Sequence, residues 1–296
     1  MISHPDKVLF PDDGITKGEV AAYYASVGPL MLPHLRGRPV TMERFPNGIG
    51  AGGFLQKDVS KGFPEWLERV EAPKRGGVVH YPLINDARSL EWMANQNCIT
   101  PHVWASRNPK LYQPDVCVFD LDPSADEEIE VLRGAALQVR DVLAELDPDL
   151  PTWVKTSGSK GFHIVVSLDA SLGFDEVSAF ALNVARVLVA RDPEHLTLEF
   201  SKAERGGRIY VDVGRNGYSA TFAAAYALRP KAGAPVSAPC TWQEIEDGAV
   251  APQTFSLRTM PARLEKVGDL WADMPKRRRS LRRAMKSVEK LSPATE

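Results

Sequence analysis

Apolar and polar residues alternate along this chain with two periods, and the periods mark its elements. Val116-Cys117-Val118-Phe119 is a β-branched and aromatic run that reads as a buried strand continuing through Asp120-Leu121-Asp122 and stopping at Pro123. Shorter runs of the same kind predict strands over 39–45, 78–84, 101–104, 152–156, 162–168, 208–213 and 221–229. A helical period appears after Thr16, which caps a helix with Glu19 closing a capping box and Val20, Tyr23, Tyr24 and Val27 as the inner face. It recurs over 126–146, where Ile129, Leu132, Ala136, Val139, Leu143 and Leu146 form a stripe, and over 174–191. Asp86 caps a helix to about residue 97, residues 64–70 make a short helix and 255–274 a closing one. Residues 6–14 read as an ordered loop turning at Asp12-Asp13-Gly14. Strands joined sometimes by helices and sometimes by turns define a mixed α/β fold, not a doubly wound sheet.

Composition changes this picture little, but charge does. The 296 residues are 44% hydrophobic and 25% charged, with a net charge of −2, as in an ordinary globule. From Lys276 to Glu296, however, eight Lys/Arg face two Glu, so that segment carries +6 and the rest −8. The chain therefore divides into a body, 1–275, and a basic tail, 276–296, expected to be an exposed helix or disordered. Cys98, Cys117 and Cys240 form no CxxC pair and read as buried thiols. With no signal peptide and no apolar run of membrane length, a cytoplasmic, nucleoid-associated location and no membrane partner are expected.

The candidate chemistry starts with Asp120 and Asp122, which alternation puts on one face of their strand, with Leu121 on the other. Two carboxylates there need a cation or open solvent, and oxygen ligands suit Mg²⁺ or Mn²⁺. The loop Ser157-Gly158-Ser159-Lys160-Gly161, followed by Phe162-His163, offers backbone N–H groups, a lysine and a histidine to a phosphate; it equally suits a hairpin needing glycine. Asp212, between two valines, is a third carboxylate, with Arg205, Arg208, Arg215, Arg229 and Lys231 nearby in sequence. Acids for metals and bases for phosphates fit a metal-bound triphosphate. Lys7 and Lys17 flank the start of the first helix and could hold a phosphate or be solvated. Phe54-Leu55, after a glycine-rich loop, are by default a core anchor and otherwise a stacking platform.

The DxD, the Ser157–His163 loop and the late Asp212, in this order and spacing, resemble the archaeo-eukaryotic primase superfamily. The nearer resemblance is to the polymerase domain of bacterial DNA ligase D, and it extends through Asp6–Pro11, Arg36–Pro39, Lys155–His163, Lys202–Asn216 and Ala232–Val236. It implies a primase-polymerase fold with central mixed and antiparallel sheets flanked by helices. It implies that Asp120, Asp122 and Asp212 bind two Mn²⁺ or Mg²⁺ ions and are the catalytic carboxylates. Ser157, Lys160, His163, Arg229 and Lys231 would contact the phosphates of an incoming NTP or dNTP, with His102 near its sugar and Arg205, Arg215 and Thr221 around it. Lys7 and Lys17 would grip the 5′-phosphate of a DNA end or gap, and Phe54 and Leu55 would meet template bases, with leucine where the family has an aromatic. Glu43 would lie near the DNA path and repel phosphate.

The expected function is template-dependent nucleotidyl transfer at DNA breaks in non-homologous end joining, favouring ribonucleotides, with Ku and a ligase as possible partners. No ligase KxDG motif or nuclease segment occurs in these residues. Two rivals are a haloacid-dehalogenase-type phosphohydrolase, in which the first Asp of a DxD is a nucleophile, and a non-catalytic scaffold that binds DNA ends. The first wants a later acidic pair that is not evident; the second does not need three intact carboxylates.

Overall fold

Thr16 and Glu19 form the capping box: the Thr16 hydroxyl accepts from the Glu19 N–H at 3.2 Å and the Glu19 carboxylate from the Thr16 N–H at 2.8 Å. The helix they start, Lys17–Leu35, buries Val20, Tyr23, Tyr24 and Val27 as its period predicts. The computed structural model describes residues 2–59, 62–124 and 129–291. They fall into two compact units: one made of residues up to Leu111 with Thr221–Ala238 and Gln253–Asp269, the other of Tyr112–Ala220, Pro239–Pro252 and the residues from Leu270.

The first unit is built on the capping-box helix and a four-stranded antiparallel sheet in the order Thr221–Ala223, Cys98–Trp104, Val40–Arg44, Phe54–Gln56. Asp86 caps the helix Ala87–Asn95 by accepting from the Ser89 N–H at 2.7 Å. Four expectations change here. Residues 64–70 are not helical: Arg69–Lys74 pairs with Gly77–Pro82 in a hairpin whose turn carries Gly76 at φ +79°. Residues 6–14 contain a short strand, Val8–Phe10, paired with Ile15–Thr16. The strand expected over 221–229 ends at Ala223, and the buried segment after it turns irregularly through Tyr226 at φ +68°. The closing helix shrinks to Met260–Val267, ended by Gly268 at φ +65°.

The second unit holds the DxD strand, Val116–Asp122, at the middle of a six-stranded sheet. The order is Leu196–Thr197, Ile209–Asp212, Val116–Asp122, Phe162–Ser167, Thr152–Thr156, Pro239–Cys240; only the first pair is parallel. Helices Ile129–Leu146 and Phe174–Arg191 pack on each other and on the DxD strand. The expected start of the first, at 126–128, lies outside the described residues. A short helix, Trp242–Glu246, capped by Thr241, was not expected.

The basic segment differs from a solvated tail. Arg282–Leu291 is a helix that packs on both long helices, with Leu281, Ala284 and Val288 buried along one stripe. Its charge density hides an i, i+3, i+7 apolar face that a sign count does not see. Before it, the backbone of Arg279 bonds to Ser167 and Asp169. All three cysteines are free and buried. Among the described residues, no helix is long and apolar enough to cross a membrane.

Candidate active site

Strand register assembles the site in the second unit. Asp120 lies directly across from Asp212 on one side and from His163 on the other, and His163 lies across from Lys155. Opposed residues on paired strands share a face, so Asp212, Asp120, His163 and Lys155 form one row across four strands. Asp122 joins from two residues along, opposite Tyr210. Leu121, turned the other way, is buried against Val211's strand. Buried Asn216 pins this register: its side-chain oxygen accepts from the Val118 N–H and its amide donates to the Val118 carbonyl, each at 2.7 Å.

Cations neutralise each carboxylate. Arg215 reaches Asp120 at 3.3 Å through Nε and Asp212 at 3.0 Å through Nη2. Arg205 holds Asp122 at 3.0 Å, with its guanidinium over the Tyr210 ring. His163 Nε2 lies 3.3 Å from Asp120. Burial pushes the Asp120 carboxyl upward, but His163, Arg215 and Lys155 together outweigh it and hold the group well below the usual carboxylate range. For Asp212 the balance is reversed: burial, then the neighbouring Asp120 and Asp122 charges, outweigh Arg215 and the Gly214 N–H, so its carboxyl is raised.

The loop after Thr156 is a tight turn in which the Ser157 hydroxyl accepts from the Ser159 and Gly161 N–H groups at 3.0 and 3.1 Å. Gly158 has φ +65°. A Cβ on Gly161 would lie 1.7 Å from the Leu121 carbonyl oxygen, so this glycine is required by the closeness of the DxD strand. Phosphate access alone would not demand it. Ser157 is buried at the base of the loop and Lys160 is exposed at its tip.

The remaining candidates lie in the first unit, in three places. His102 sits opposite Ala223 and Thr41, two register positions from the strand end at Thr221, and its Nε2 lies 2.9 Å from Glu43. Burial pushes the Glu43 carboxyl up, but the bond to His102 and the His102 and Arg229 charges bring it below the usual range. Glu43, expected to repel phosphate near the DNA path, has its charge partly compensated by His102 and Arg229. Lys231 follows Arg229 in a turn, its N–H bonded to the Arg229 carbonyl. Lys7 and Lys17 line one cavity of about 620 Å³ with Ser3, Asn95 and Asn97. Lys17 is only 3% exposed, and burial, then the Lys7 and Arg44 charges, lower its pKa. A lysine merely solvated at the surface is excluded. Phe54 and Leu55 are 48% and 65% exposed on the strand paired with Val40–Arg44, so the default reading of a core anchor is overturned.

Lys155 is the functional candidate that reading the sequence missed. It is 0% exposed, and its charge bears on Asp120. A signal existed: Lys155 and His163 are equally distant from the centre of the Ser157–Gly161 turn, which makes them cross-strand partners.

Among the described residues, no three His, Cys, Asp or Glu side chains are drawn together tightly enough to enclose an ion. The donors nonetheless fit a hard divalent cation. Asp120, Asp122 and Asp212 offer only oxygens, share a face and already have guanidinium groups as counter-ions.

An antiparallel-flanked DxD strand, with a third Asp opposite the first and a glycine-containing loop after the next strand, is the arrangement that the primase-polymerase resemblance implies. The family model described as the LigD primase-polymerase domain matches residues 16–271, and the chain belongs to that family. It is 36% identical over 275 residues to the multifunctional non-homologous end joining protein LigD of Mycolicibacterium smegmatis, covering 92% of this chain and 36% of that protein. The corresponding protein of Pseudomonas aeruginosa is 34% identical over 289 residues, covering 96% of this chain and 34% of the relative. The chain thus spans about a third of the length of these curated relatives. Among solved structures, the polymerase domain of Mycobacterium tuberculosis ligase D in complex with DNA matches with a TM-score of 0.87 and 34% identity, covering 93% of this chain and 98% of that one.

Proposed function

We propose that this chain is a metal-dependent, template-directed nucleotidyltransferase that extends primers or fills gaps at DNA breaks during non-homologous end joining. The observation that carries the reading is the register that sets Asp212 opposite Asp120, with Asp122 on the same face. Three carboxylates so placed would hold two Mn²⁺ or Mg²⁺ ions, which when bound supply charge neutralisation for a triphosphate and acidity for a primer hydroxyl. The chain's own groups do the rest. Arg215 and Arg205, freed from the carboxylates, become donors for phosphate oxygens, with Lys160 at the loop tip as a point charge. Ser157 keeps the loop closed, and His163 steadies Asp120 from the far side.

His102, Arg229, Lys231 and Thr221 are assigned to the nucleotide as well, and Lys7 and Lys17 to the 5′-phosphate of the downstream strand. Phe54 supplies a ring for a template base; Leu55 supplies apolar contact without stacking. The substrates are DNA with 5′-phosphate ends or gaps and NTPs or dNTPs, with ribonucleotides favoured, and Ku and a ligase are the expected co-workers. Relatives that carry the name of end joining support this assignment, as does a neighbour solved with DNA.

Primer extension on gapped, 5′-phosphorylated DNA tests the reading. Labelled primer should lengthen with Mn²⁺ or Mg²⁺, stop with EDTA, and stop in Asp120→Ala while DNA binding persists. Release of phosphate from small esters without extension would point to the phosphohydrolase instead.

A further inference from the structure

The outward stripe of the helix Ala87–Asn95 is not used by any of the roles above. Arg88, Glu91, Trp92 and Asn95 follow one another at i, i+3, i+4 and i+7, while Leu90, Met93 and Ala94 face the core. Together with Trp66 these four line a cleft of about 270 Å³. The Arg88 guanidinium lies 3.9 Å over the Trp66 ring, and Phe63 meets Trp92 edge-on with centroids 4.8 Å apart. Trp66 remains 37% exposed, unusual for so large an apolar ring.

The position of the cleft matters as much as its lining. Asn95 lines both this cleft and the Lys7–Lys17 cavity. Its side-chain oxygen accepts from the Ser3 N–H at 2.9 Å and hydroxyl at 3.0 Å, and the Ser3 hydroxyl accepts from Lys17 Nζ at 3.0 Å. From Asn95 back to Arg88 the helix spans about 10 Å at ~1.5 Å per residue. An aromatic and cationic cleft that shares Asn95 with the Lys7–Lys17 cavity has the chemistry of a base-stacking site.

We propose that the Trp66–Arg88–Trp92 cleft binds the nucleobase next to the 5′-phosphate of the DNA strand held by Lys7 and Lys17. The inference rests on the assignment of that cavity to the 5′-phosphate. The lysines read the charge of the end; the cleft stacks its first base without reading sequence, since every base offers a π-face. Arg88, with its guanidinium 3.9 Å over the Trp66 ring, presents a cation to the stack, and Glu91 lines the same cleft.

The test uses fluorescence anisotropy with the whole chain and four gapped DNAs: 5′-phosphate or 5′-hydroxyl, each with a normal or an abasic nucleotide at that end. With wild-type protein, loss of the base should weaken binding roughly five- to hundredfold, the range expected for one stacked base. Trp66→Ala should abolish the base effect while keeping the preference for phosphate, and Trp66→Phe should restore most of it. Trp66 is partly exposed, and a thermal melt confirms that each variant folds. Equal wild-type affinity for base and abasic DNA, or a base effect that survives Trp66→Ala, would overturn the proposal. The phosphate contrast judges the lysine cavity separately: loss of that preference in wild type sinks the anchor, whatever the base contrast shows.

Discussion

Asp212 is the residue at which the site costs stability. Burial and two neighbouring carboxylates raise its pKa, so at neutral pH the folded chain holds an ionised group that the unfolded chain would hold more easily. A raised carboxylate destabilises at pH values above its folded pKa, and a divalent cation beside it removes that penalty. Added Mn²⁺ should therefore raise Tm, and Asp212→Asn should abolish most of that rise while melting no lower than wild type without metal. Differential scanning fluorimetry with and without EDTA decides it; a variant that keeps the full metal shift would remove Asp212 from the ligand set. Lys155 acts on the other end of the same row. It helps to depress Asp120, whose folded pKa lies below its unfolded value, so this contribution is present above about pH 4 and fades as the pH falls. Lys155→Met should then cost more stability at pH 6 than near pH 2. Urea melts at both pH values measure the difference, and equal costs would reduce Lys155 to a packing residue.

At the scale of elements, the site depends on how closely two backbones approach. Gly161 lies where any side chain would collide with the Leu121 carbonyl, and neither partner is a flexible side-chain end. Gly161→Ala should destabilise by roughly 2 kcal/mol or more and abolish extension by shifting the loop off the DxD strand, as overpacked backbones do. A variant of wild-type stability and activity would show that the loop is slack. The same elements show what the sequence could reveal. The capping box at Thr16, the helix cap at Asp86 and the strands 116–122 and 152–156 were legible because each is specified by residues within a few positions of itself. The strand 78–84 of the hairpin was expected, but its partner Arg69–Lys74 was missed because residues 64–70 imitate a helix turn, and only pairing with Gly77–Pro82 gives them a ladder. Residues 224–229 read as strand from their apolar content, but burial there comes from irregular packing. Three carboxylates could be picked out from motif order. The burial of Lys155, the stitch made by Asn216 and the pairing of Glu43 with His102 depend on neighbours far apart in the chain.

For the whole molecule, DNA binding as proposed would require a body of net charge −8 to hold a polyanion. The +6 segment after Pro275 offers an answer, but the structure divides its cations into two sets. Arg283 reaches Asp147 and Asp149, each at 3.3 Å, and Arg278 lies 3.8 Å from Asp115, so these help to seat the segment on its own unit. Arg282, Lys286 and Lys290, spaced by four along the exposed side of the last helix, have no such duty in the described contacts. Cutting the segment off would confound the two sets, since Val288 is buried and its replacement by alanine alone should cost roughly 1.5–2.5 kcal/mol. The triple change Arg282→Gln, Lys286→Gln and Lys290→Gln removes the exposed charges and leaves the packed face intact. If these cations lie along DNA, counterion release makes log affinity fall against log salt with a slope of about −0.9 per phosphate neutralised. The variant should lose between one and three such contacts, flattening that plot by about 0.9 to 2.7, while extension on saturating DNA at low salt stays at the wild-type rate. Unchanged slope with unchanged Tm would leave the helix as a structural brace for the two long helices beneath it and nothing more.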